Sequence, residues 1–217
     1  MTIPSVQPDG AGSERPQDLL AYERRFWGRG RSVAGVDEAG RGPLAGPVVA
    51  AAVVLPHGVC IHGADDSKRL TPKVREELYD VIIGSARAIG VGAASVREID
   101  SRNILRATTE AMRRAIARLE WAPDHLVVDG LPVKHLGHEH DAVVDGDALV
   151  HSIACASIVA KVVRDRLMRR LARRYPGYAW ETNVGYGTPA HLAAIRALGP
   201  TPHHRLTFAG SQFELEL

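Results

Sequence analysis

Short apolar runs and longer amphipathic stretches alternate along most of the chain. The apolar runs are bounded by glycine, proline or polar residues and predict five strands, at residues 33–37, 47–55, 88–96, 125–129 and 142–144. The second run is apolar throughout, which is typical of a strand buried on both faces. Stretches in which apolar residues recur every three or four positions predict helices, at residues 17–27, 71–85, 100–120, 152–175 and 189–198.

This order of elements predicts an α/β protein with a mixed five-stranded sheet flanked by helices. Residues 1–16 are mostly polar and contain several prolines and glycines, so we expect a disordered leader there. In sheets of this kind, ligands bind beyond the ends of the strands. Candidate functional residues are therefore expected at the strand ends.

Composition bounds the class of protein without identifying it. The chain has 217 residues, of which 45% are hydrophobic and 24% charged, with a net charge of +2. These values fit one good-sized globular domain and exclude a generally basic nucleic-acid coat. An apolar run of about 20 residues and the apolar core of a signal peptide are both absent, so we expect a cytoplasmic protein with no membrane partner. Cys60 and Cys155 lack metal-ligand spacing and are expected to be reduced thiols.

The basic and histidine-containing segments are ambiguous. Residues 161–174 form a dense basic stretch, which can follow a phosphate backbone or form the solvated face of a helix. Four histidines lie close together in pairs but lack regular ligand spacing, so a zinc site is not predicted; they are His138, His140, His203 and His204.

The most informative segment is residues 33–43, in which two adjacent carboxylates, Asp37 and Glu38, end an apolar strand. A carboxylate among apolar residues is costly unless something pairs with it, and Arg41 is the only nearby cation in the sequence. Hard divalent cations prefer oxygen ligands, so the segment predicts a metal site. Gly40 and Gly42 allow the backbone beside it to approach another molecule closely.

Further acids follow later strands. Asp129 ends the fourth strand and Asp147 follows the fifth; if the first and fourth strands are parallel neighbours, their carboxylates lie at one edge. Clustered acids need cations to offset their repulsion, and paired Mg²⁺ or Mn²⁺ ions suit in-line attack at phosphorus. Asp145 and Asp165 are further candidates, and each acid taken alone also fits an ordinary turn or cap.

Four other residues have a possible role in binding nucleic acid. Tyr186 lies in a glycine-rich loop, where its ring can stack on a base or sugar or simply pack within the loop. Ser67, Lys68 and Arg205 can each contact a phosphate or be ordinary surface residues.

Residues 36–47 closely resemble the signature of bacterial ribonuclease HII, the type 2 ribonuclease H. Further family motifs follow in the family's order, at residues 65–70, 128–130, 146–147, 156–165, 185–186 and 203–208. The resemblance spans about residues 17 to 210. It implies a ribonuclease H fold, with a catalytic domain at residues 17–175 and a C-terminal helical extension and tail at residues 176–217.

The resemblance implies an endonuclease that cleaves RNA in RNA–DNA hybrids and incises duplex DNA 5′ to a single ribonucleotide, leaving 3′-hydroxyl and 5′-phosphate ends. By this resemblance, Asp37 would bridge two Mg²⁺ or Mn²⁺ ions. Asp147 would help hold the ion that activates water, whereas Glu38 and Asp129 would help hold the ion at the leaving oxygen. The resemblance also implies that residues 40–42 read the ribose 2′-hydroxyl, the group that distinguishes RNA from DNA locally. The implied substrate-binding residues are Gly40, Arg41, Gly42, Ser67, Lys68, Tyr186 and Arg205, with Tyr186 stacking on the following sugar.

Two positions depart from the family's pattern. Members commonly have Lys-Gly-Asp at residues 145–147, where this chain has Asp145 in place of the lysine. They also commonly have His-Lys-Gly-Tyr at residues 183–186, where this chain has Asn183 and Val184 in place of the histidine and lysine. Both changes remove cations near the nucleic acid. We therefore predict weaker phosphate affinity or altered metal dependence, with activity retained.

Two alternative functions are also considered. A type 3 enzyme cuts hybrids and ignores single ribonucleotides, but it usually has an extra N-terminal domain for which the leader here is too short. A non-catalytic nucleic-acid binder conflicts with the intact set of four acids. We expect a monomer that binds RNA–DNA hybrid and ribonucleotide-containing duplex. Residues 212–217 are faintly similar to a peptide that binds a sliding clamp.

Overall fold

Five strands form a single mixed sheet in the order β3-β2-β1-β4-β5. The computed structural model describes residues 18–64 and 70–208. The strands are β1 (Val33–Ala39), β2 (Val48–Val54), β3 (Ala88–Ala94), β4 (His125–Asp129) and β5 (Asp141–Val143). β2 is antiparallel to β1 and β3, whereas β1–β4 and β4–β5 are parallel. The predicted mixed five-stranded sheet is confirmed.

Helices cover both faces of this sheet. They are α1 (Ala21–Trp27), α2 (Pro72–Ser85), α3 (Val96–Arg102), α4 (Ile104–Ala117), α5 (Gly146–Leu149), α6 (His151–Arg174), α7 (Trp180–Asn183) and α8 (Pro189–Leu198). One core lies between the sheet and α4, and a second lies between the opposite face and α2 with α6. Every residue of β2 is buried, as its uninterrupted apolar sequence predicts.

Helix α6 approaches β1 closely because Gly35 has no side chain. A Cβ atom at this position would lie 2.1 Å from the carbonyl carbon of Ser152. Any larger residue would push the start of α6 away from the strand. The same helix carries Ser157, which contacts the carboxylate at the end of β1, so this close packing also positions the candidate site.

The helix predicted over residues 100–120 is instead two helices, and the single-helix prediction is wrong. Asn103 separates α3 from α4 with a φ of 74° and a ψ of 164°, a backbone conformation that residues other than glycine rarely adopt. Its side chain accepts a hydrogen bond from the N–H of Arg106 at 3.1 Å and so caps α4. The periodicity of apolar residues continues through the break and therefore hides it.

The C-terminal part of the described chain is helical, as predicted. Helices α7 and α8 enclose a small core with the end of α6, and Trp180 at its centre is fully buried. No helix in residues 18–64 or 70–208 is both long and apolar enough to span a bilayer. The predicted leader at residues 1–16, Ser67, Lys68 and residues 212–217 lie outside the described residues, and the predicted domain boundaries stay predictions.

Candidate active site

Asp37 and Asp129 lie next to each other at the ends of two parallel strands. In the β1–β4 ladder, Val36 pairs with Val128, so the next residue on each strand is one of the two carboxylates. Both valines belong to the core beneath α4. Since successive side chains alternate between faces, the carboxylates point towards the opposite face. The first and fourth strands are thus parallel neighbours, which is the condition under which the sequence places both carboxylates at one edge.

Asp37 is buried, with only 4% of its surface exposed. Its Oδ1 accepts a hydrogen bond from the N–H of Glu38 at 2.6 Å, and the Ser157 hydroxyl also donates to the carboxylate. Burial, and then the negative charges of Glu38 and Asp129, raise the pKa of Asp37 well above its usual value of 3.8. Negative charge is thus concentrated here in a poorly solvated place.

A tight turn after β5 brings Asp147 towards the same strand end. The N–H of Gly146 donates to Oδ1 of Asp129 at 2.7 Å. A Cβ atom at position 146 would lie 3.1 Å from this oxygen and 2.7 Å from Cδ1 of Ile153, so glycine lets the turn pack against Asp129. Asp147 follows directly, in the first turn of α5, and is buried.

Glu38 and Asp129 also line an open cleft of about 650 Å³. Arg41 lies beside Glu38, with Nη1 3.2 Å from Oε1. The cleft continues between the start of α4 and the chain that follows β4, where Arg106 and Lys134 line it. The carboxylate edge therefore opens into a groove with cationic side chains on its walls, which is suited to a polyanion.

The other two candidate acids do not join this set. Asp145 is exposed and adopts a φ of 55° just before α5. Asp165 lies along α6, where Lys161 Nζ is 2.8 Å and Arg75 Nη1 is 3.5 Å from its carboxylate. It is part of an internal ion-pair network, which explains an acid in this helix without any metal.

The basic stretch of α6 is largely occupied within the protein. Arg166 and Arg169 both pair with Glu76 of α2, at 2.5 and 3.0 Å, and Arg164 is buried among backbone carbonyls. Arg166 and Arg169 therefore join α6 to α2, and Arg164 joins α6 to the loops at Ala45, Pro47 and Val184. This outcome favours the structural interpretation of the stretch for these residues.

The four predicted carboxylates suit a hard cation by chemistry and by charge. All provide oxygen ligands, and the pKa of Asp37 is raised by burial and then by repulsion from Glu38 and Asp129, which a divalent cation would offset. Within residues 18–64 and 70–208, no three histidine, cysteine or acidic side chains are grouped closely enough to hold an ion as they stand. Joint coordination therefore requires side-chain rotation at this edge.

Arg205 does not lie where the sequence analysis expects it. The prediction that it contacts a phosphate is wrong for this conformation, because the side chain is fully buried. Its guanidinium donates to the carbonyl oxygens of Gly40, Arg41 and Gly46. It lies underneath the turn at residues 40–42, here called the glycine turn, and a sequence motif does not reveal whether an arginine faces solvent or backbone.

Tyr186 borders the outer side of the glycine turn. The residue is 45% exposed, and a Cβ atom at Gly42 would lie 3.8 Å from its Cε1. The carbonyl of Gly185 accepts a hydrogen bond from the N–H of Leu44 at 2.8 Å. The ring and the turn therefore form adjoining walls of one surface, as the predicted substrate roles require.

Buried histidines that the sequence analysis left without a role hold Tyr186 from behind. Nδ1 of His191 is 2.8 Å from the Tyr186 carbonyl oxygen, and a carbonyl only accepts, so this nitrogen carries the proton. Nε2 of His191 is then an acceptor, and Trp180 Nε1 at 2.9 Å and His204 Nε2 at 3.1 Å donate to it. His204 Nδ1 accepts from the N–H of Thr201 at 2.8 Å, so both rings are neutral with fixed tautomers.

The departure at Asn183 is structural in this chain. Its Nδ2 donates to the Tyr178 carbonyl and its Oδ1 accepts from the N–H of Gly185, both at 2.8 Å. Asn183 is buried and braces the loop that carries Tyr186. The carbonyl of Val184 is held by Arg164 Nη1 at 3.0 Å, so the backbone around both positions is fixed by buried donors.

Comparisons with known proteins agree with this arrangement. The ribonuclease HII of Geobacter sulfurreducens is 54% identical over 190 residues, covering 87% of this chain and 88% of that protein. The ribonuclease HII of Thermosynechococcus vestitus is 55% identical over 196 residues, covering 88% and 91%. The crystal structure of ribonuclease H2 from Pyrococcus horikoshii OT3 has a TM-score of 0.70 at 30% identity, covering 81% of this chain and 93% of that one.

A structure of a ribonuclease HII from Archaeoglobus fulgidus in complex with PCNA also has a TM-score of 0.70, at 26% identity, covering 86% of this chain and 96% of that one. The family model for ribonuclease HII matches residues 34–211, which include the strand-end carboxylates, the glycine turn and Tyr186. The chain therefore belongs to the ribonuclease HII family of ribonuclease H endonucleases.

Proposed function

We propose that the chain hydrolyses RNA in RNA–DNA hybrids and incises duplex DNA 5′ to a single ribonucleotide, leaving 3′-hydroxyl and 5′-phosphate ends. The observation that carries this proposal is the juxtaposition of carboxylates at the ends of β1 and β4 with a glycine turn three residues further along the chain. One feature provides oxygen ligands for divalent cations, and the other provides backbone donors that can contact a sugar.

Two Mg²⁺ or Mn²⁺ ions would be held by Asp37, Glu38, Asp129 and Asp147. When bound, such ions lower the pKa of a coordinated water and offset the charge on the departing oxygen. The protein's part is to keep the four acids at one edge. The Ser157 hydroxyl and the N–H of Glu38 orient Asp37, and the N–H of Gly146 orients Asp129. Because these donors favour the ionised form, they keep the carboxylates available as ligands.

Recognition of the ribose is assigned to the glycine turn and Tyr186. The amides of Arg41 and Gly42 have no acceptor among the described residues and are free to donate to a 2′-oxygen. The half-exposed Tyr186 ring beside Gly42 offers a flat surface for the next sugar. Arg106 and Lys134, on the walls of the cleft, would contact phosphates and set the register of the duplex.

Product mapping tests this proposal directly. A labelled duplex with one ribonucleotide and a full RNA–DNA hybrid are incubated with the chain and Mg²⁺ or Mn²⁺. We expect cleavage of both, with the cut in the duplex on the 5′ side of the ribonucleotide. Cleavage of the hybrid alone would favour the type 3 alternative, and metal-dependent cleavage of neither would favour a non-catalytic binder. Asp37→Asn is the control that should abolish cleavage in either substrate.

A sliding clamp is the protein partner that we propose. The support is the likeness of residues 212–217 to a clamp-binding peptide and the complex of the Archaeoglobus fulgidus ribonuclease HII with PCNA. A chain ending at Gly210 should lose binding to the clamp of its own cell in size-exclusion chromatography while keeping its cleavage rate on short duplexes. Binding that survives this truncation would contradict the proposal. That the chain is a monomer stays a prediction, and the same chromatography tests it.

A further inference from the structure

Arg205 is a buried cation for which the proposed reaction has no direct use. Its Nη2 donates to the carbonyl oxygens of Gly40 at 2.5 Å and Gly46 at 2.8 Å, its Nη1 to that of Arg41 at 2.8 Å, and its Nε to that of Gly46 at 3.0 Å. Two carbonyls of the glycine turn and one from the loop that follows it are therefore fixed by one rigid planar group. A lysine, with a single ammonium, cannot reproduce this fork of donors.

The direction of these carbonyls determines the direction of the amides that follow them. In a trans peptide unit, the C=O of one residue and the N–H of the next point to opposite sides, and the described residues contain no cis peptide. Because the carbonyls of Gly40 and Arg41 point inwards to Arg205, the N–H groups of Arg41 and Gly42 point away from it. Two successive amides presented in this way form a small concave site for an electronegative atom.

Arg205 is itself held in place from several directions. Its own N–H donates to the carbonyl of Leu44 at 2.8 Å, and the N–H of Gly46 donates to the carbonyl of His203 at 2.8 Å. Phe208 lies 5.0 Å from the guanidinium carbon, with the cation over its ring. The turn and residues 203–208 are therefore tied together as one unit.

This arrangement is electrostatically costly, because a second buried cation lies close by. Arg164 donates to the carbonyls of Ala45 and Pro47, at 3.1 and 3.0 Å, in the same loop. Burial, and then the charge of Arg164, lower the pKa of Arg205 to about 9. Burying these two cations costs free energy, which the charges of Asp100 and Asp165 and the hydrogen bonds to the carbonyls of the loop partly offset.

We propose that Arg205 is a positioning residue for ribonucleotide specificity, which aims the amides of Arg41 and Gly42 at the ribose 2′-oxygen. The proposal rests on the proposed function, because it takes the glycine turn as the reader of that oxygen. It replaces the phosphate contact expected from the sequence with a role beneath the turn. Arg205 touches neither substrate nor metal in this role.

Arg205→Lys tests the proposal through a ratio of rates. The value of kcat/KM is measured on two duplexes, one with a single ribonucleotide and one with a 2′-deoxy-2′-fluoro nucleotide at the same position. The fluoro nucleotide is chosen because fluorine accepts hydrogen bonds poorly. We expect the variant to lose about tenfold of the preference for the ribonucleotide, as expected for weakening of one to two hydrogen bonds. General damage to the fold would lower kcat/KM on both substrates by the same factor, so a larger loss on the ribonucleotide substrate distinguishes the proposed role from such damage.

Arg114→Lys is the matched control. Arg114 also donates to a backbone carbonyl, that of Ala93 at 2.7 Å, but Ala93 lies on the edge strand β3, which β2 separates from β1. This change should leave the ratio unaltered. If Arg205→Lys does not fold, Phe208→Leu removes only the ring over the guanidinium and should lower the preference in the same direction by a smaller factor.

Binding measured with Ca²⁺ in place of Mg²⁺ separates the two proposals. The ratio of dissociation constants for the all-DNA and single-ribonucleotide duplexes should fall in Arg205→Lys whether or not the parent chain cleaves. If the parent chain does not cleave but the ratio still falls in Arg205→Lys, the result would contradict the proposed function and support the role of Arg205. The role of Arg205 would be overturned if Arg205→Lys or Phe208→Leu lowered the rates on both substrates equally and so left the preference for the ribonucleotide unchanged. It would also be overturned if the parent chain had no preference for the ribonucleotide.

Discussion

Asp37 is the residue at which the free energy of folding and the proposed chemistry conflict most directly. Its carboxylate is buried beside two other negative charges, and its pKa is raised for that reason. Above pH 3.8 the unfolded chain ionises this group more readily than the folded chain does, so the group lowers the stability of the metal-free protein at neutral pH. A bound cation would reverse the sign of this effect.

Asp37→Asn should therefore raise the melting temperature of the metal-free protein at pH 7 and abolish cleavage. Relief of about 1 kcal/mol corresponds to about 2–4 °C for a chain of this size. The increase in melting temperature that Mn²⁺ gives the parent should disappear, which differential scanning fluorimetry with and without the ion measures. Asp165→Asn is the control, since it leaves Lys161 and Arg75 without their partner and should lower stability while keeping the response to Mn²⁺.

The exposed Asp145 lies two residues before the buried Asp147. Asp145→Lys should tighten binding to duplex DNA, because it replaces a repulsive charge with one that neutralises a phosphate. The slope of log affinity against log salt concentration should steepen by about one, measured by fluorescence anisotropy at several salt concentrations. An unaltered slope would show that this position lies away from the bound duplex.

At the scale of elements, the loop between α7 and α8 depends on two neutral histidines. His191 and His204 share one hydrogen bond, and every other ring nitrogen also faces a group of fixed polarity. A proton added to either ring would place two donors against each other. Burial lowers the pKa of both, to about 4 for His204, to which the proximity of His191 also contributes.

The free energy of unfolding should consequently fall as the pH drops from about 6.5 towards 4. In this range the unfolded histidines take up protons that the folded network excludes, which lowers stability by up to about 1.4 kcal/mol per pH unit for each ring. Urea denaturation at several pH values measures this dependence. His204→Gln keeps a donor at the same position without titrating and should flatten it; equal slopes in both proteins would contradict the assignment.

At the scale of the whole molecule, the net charge of +2 conceals an uneven distribution. Arg166 and Arg169 are paired with Glu76, while Arg106 and Lys134 line the cleft next to the carboxylates. The electrostatic potential at the cleft therefore depends on which cations are not already paired within the protein, and the total number of cations does not predict it.

Arg106→Ala and Lys134→Ala should each weaken binding to ribonucleotide-containing and all-DNA duplexes by a similar factor. Each should reduce the slope of log affinity against log salt concentration by about one, because one phosphate contact is lost. The preference for the ribonucleotide should stay unaltered, since phosphate contacts carry no information about the sugar. Anisotropy titrations on both duplexes give the two quantities. Arg170→Ala removes an exposed cation of the basic stretch and should change neither, unless that stretch also follows the phosphate backbone.

Local patterns in the sequence were sufficient for the sheet, and they singled out the acids that are proposed to hold the metal ions. Each strand is a short apolar run, and Asp37 and Asp129 stand out because carboxylates are rare at the ends of such runs. The break at Asn103 was missed, because a capping side chain interrupts a helix without interrupting its apolar periodicity. The ion pairs of Asp165 were missed as well, since Arg75 lies far from it along the chain.

The sequence by itself thus determined the five strands, most of the helices, the family and the chemical character of the site, because these depend on residue types and short spacings. Only the tertiary structure decided which way each side chain faces. It turned Arg205 from an expected phosphate contact into a buried support for the glycine turn and gave His191 and His204 fixed protonation states. Burial and hydrogen-bond direction arise from contacts between distant segments, and local sequence patterns do not encode them.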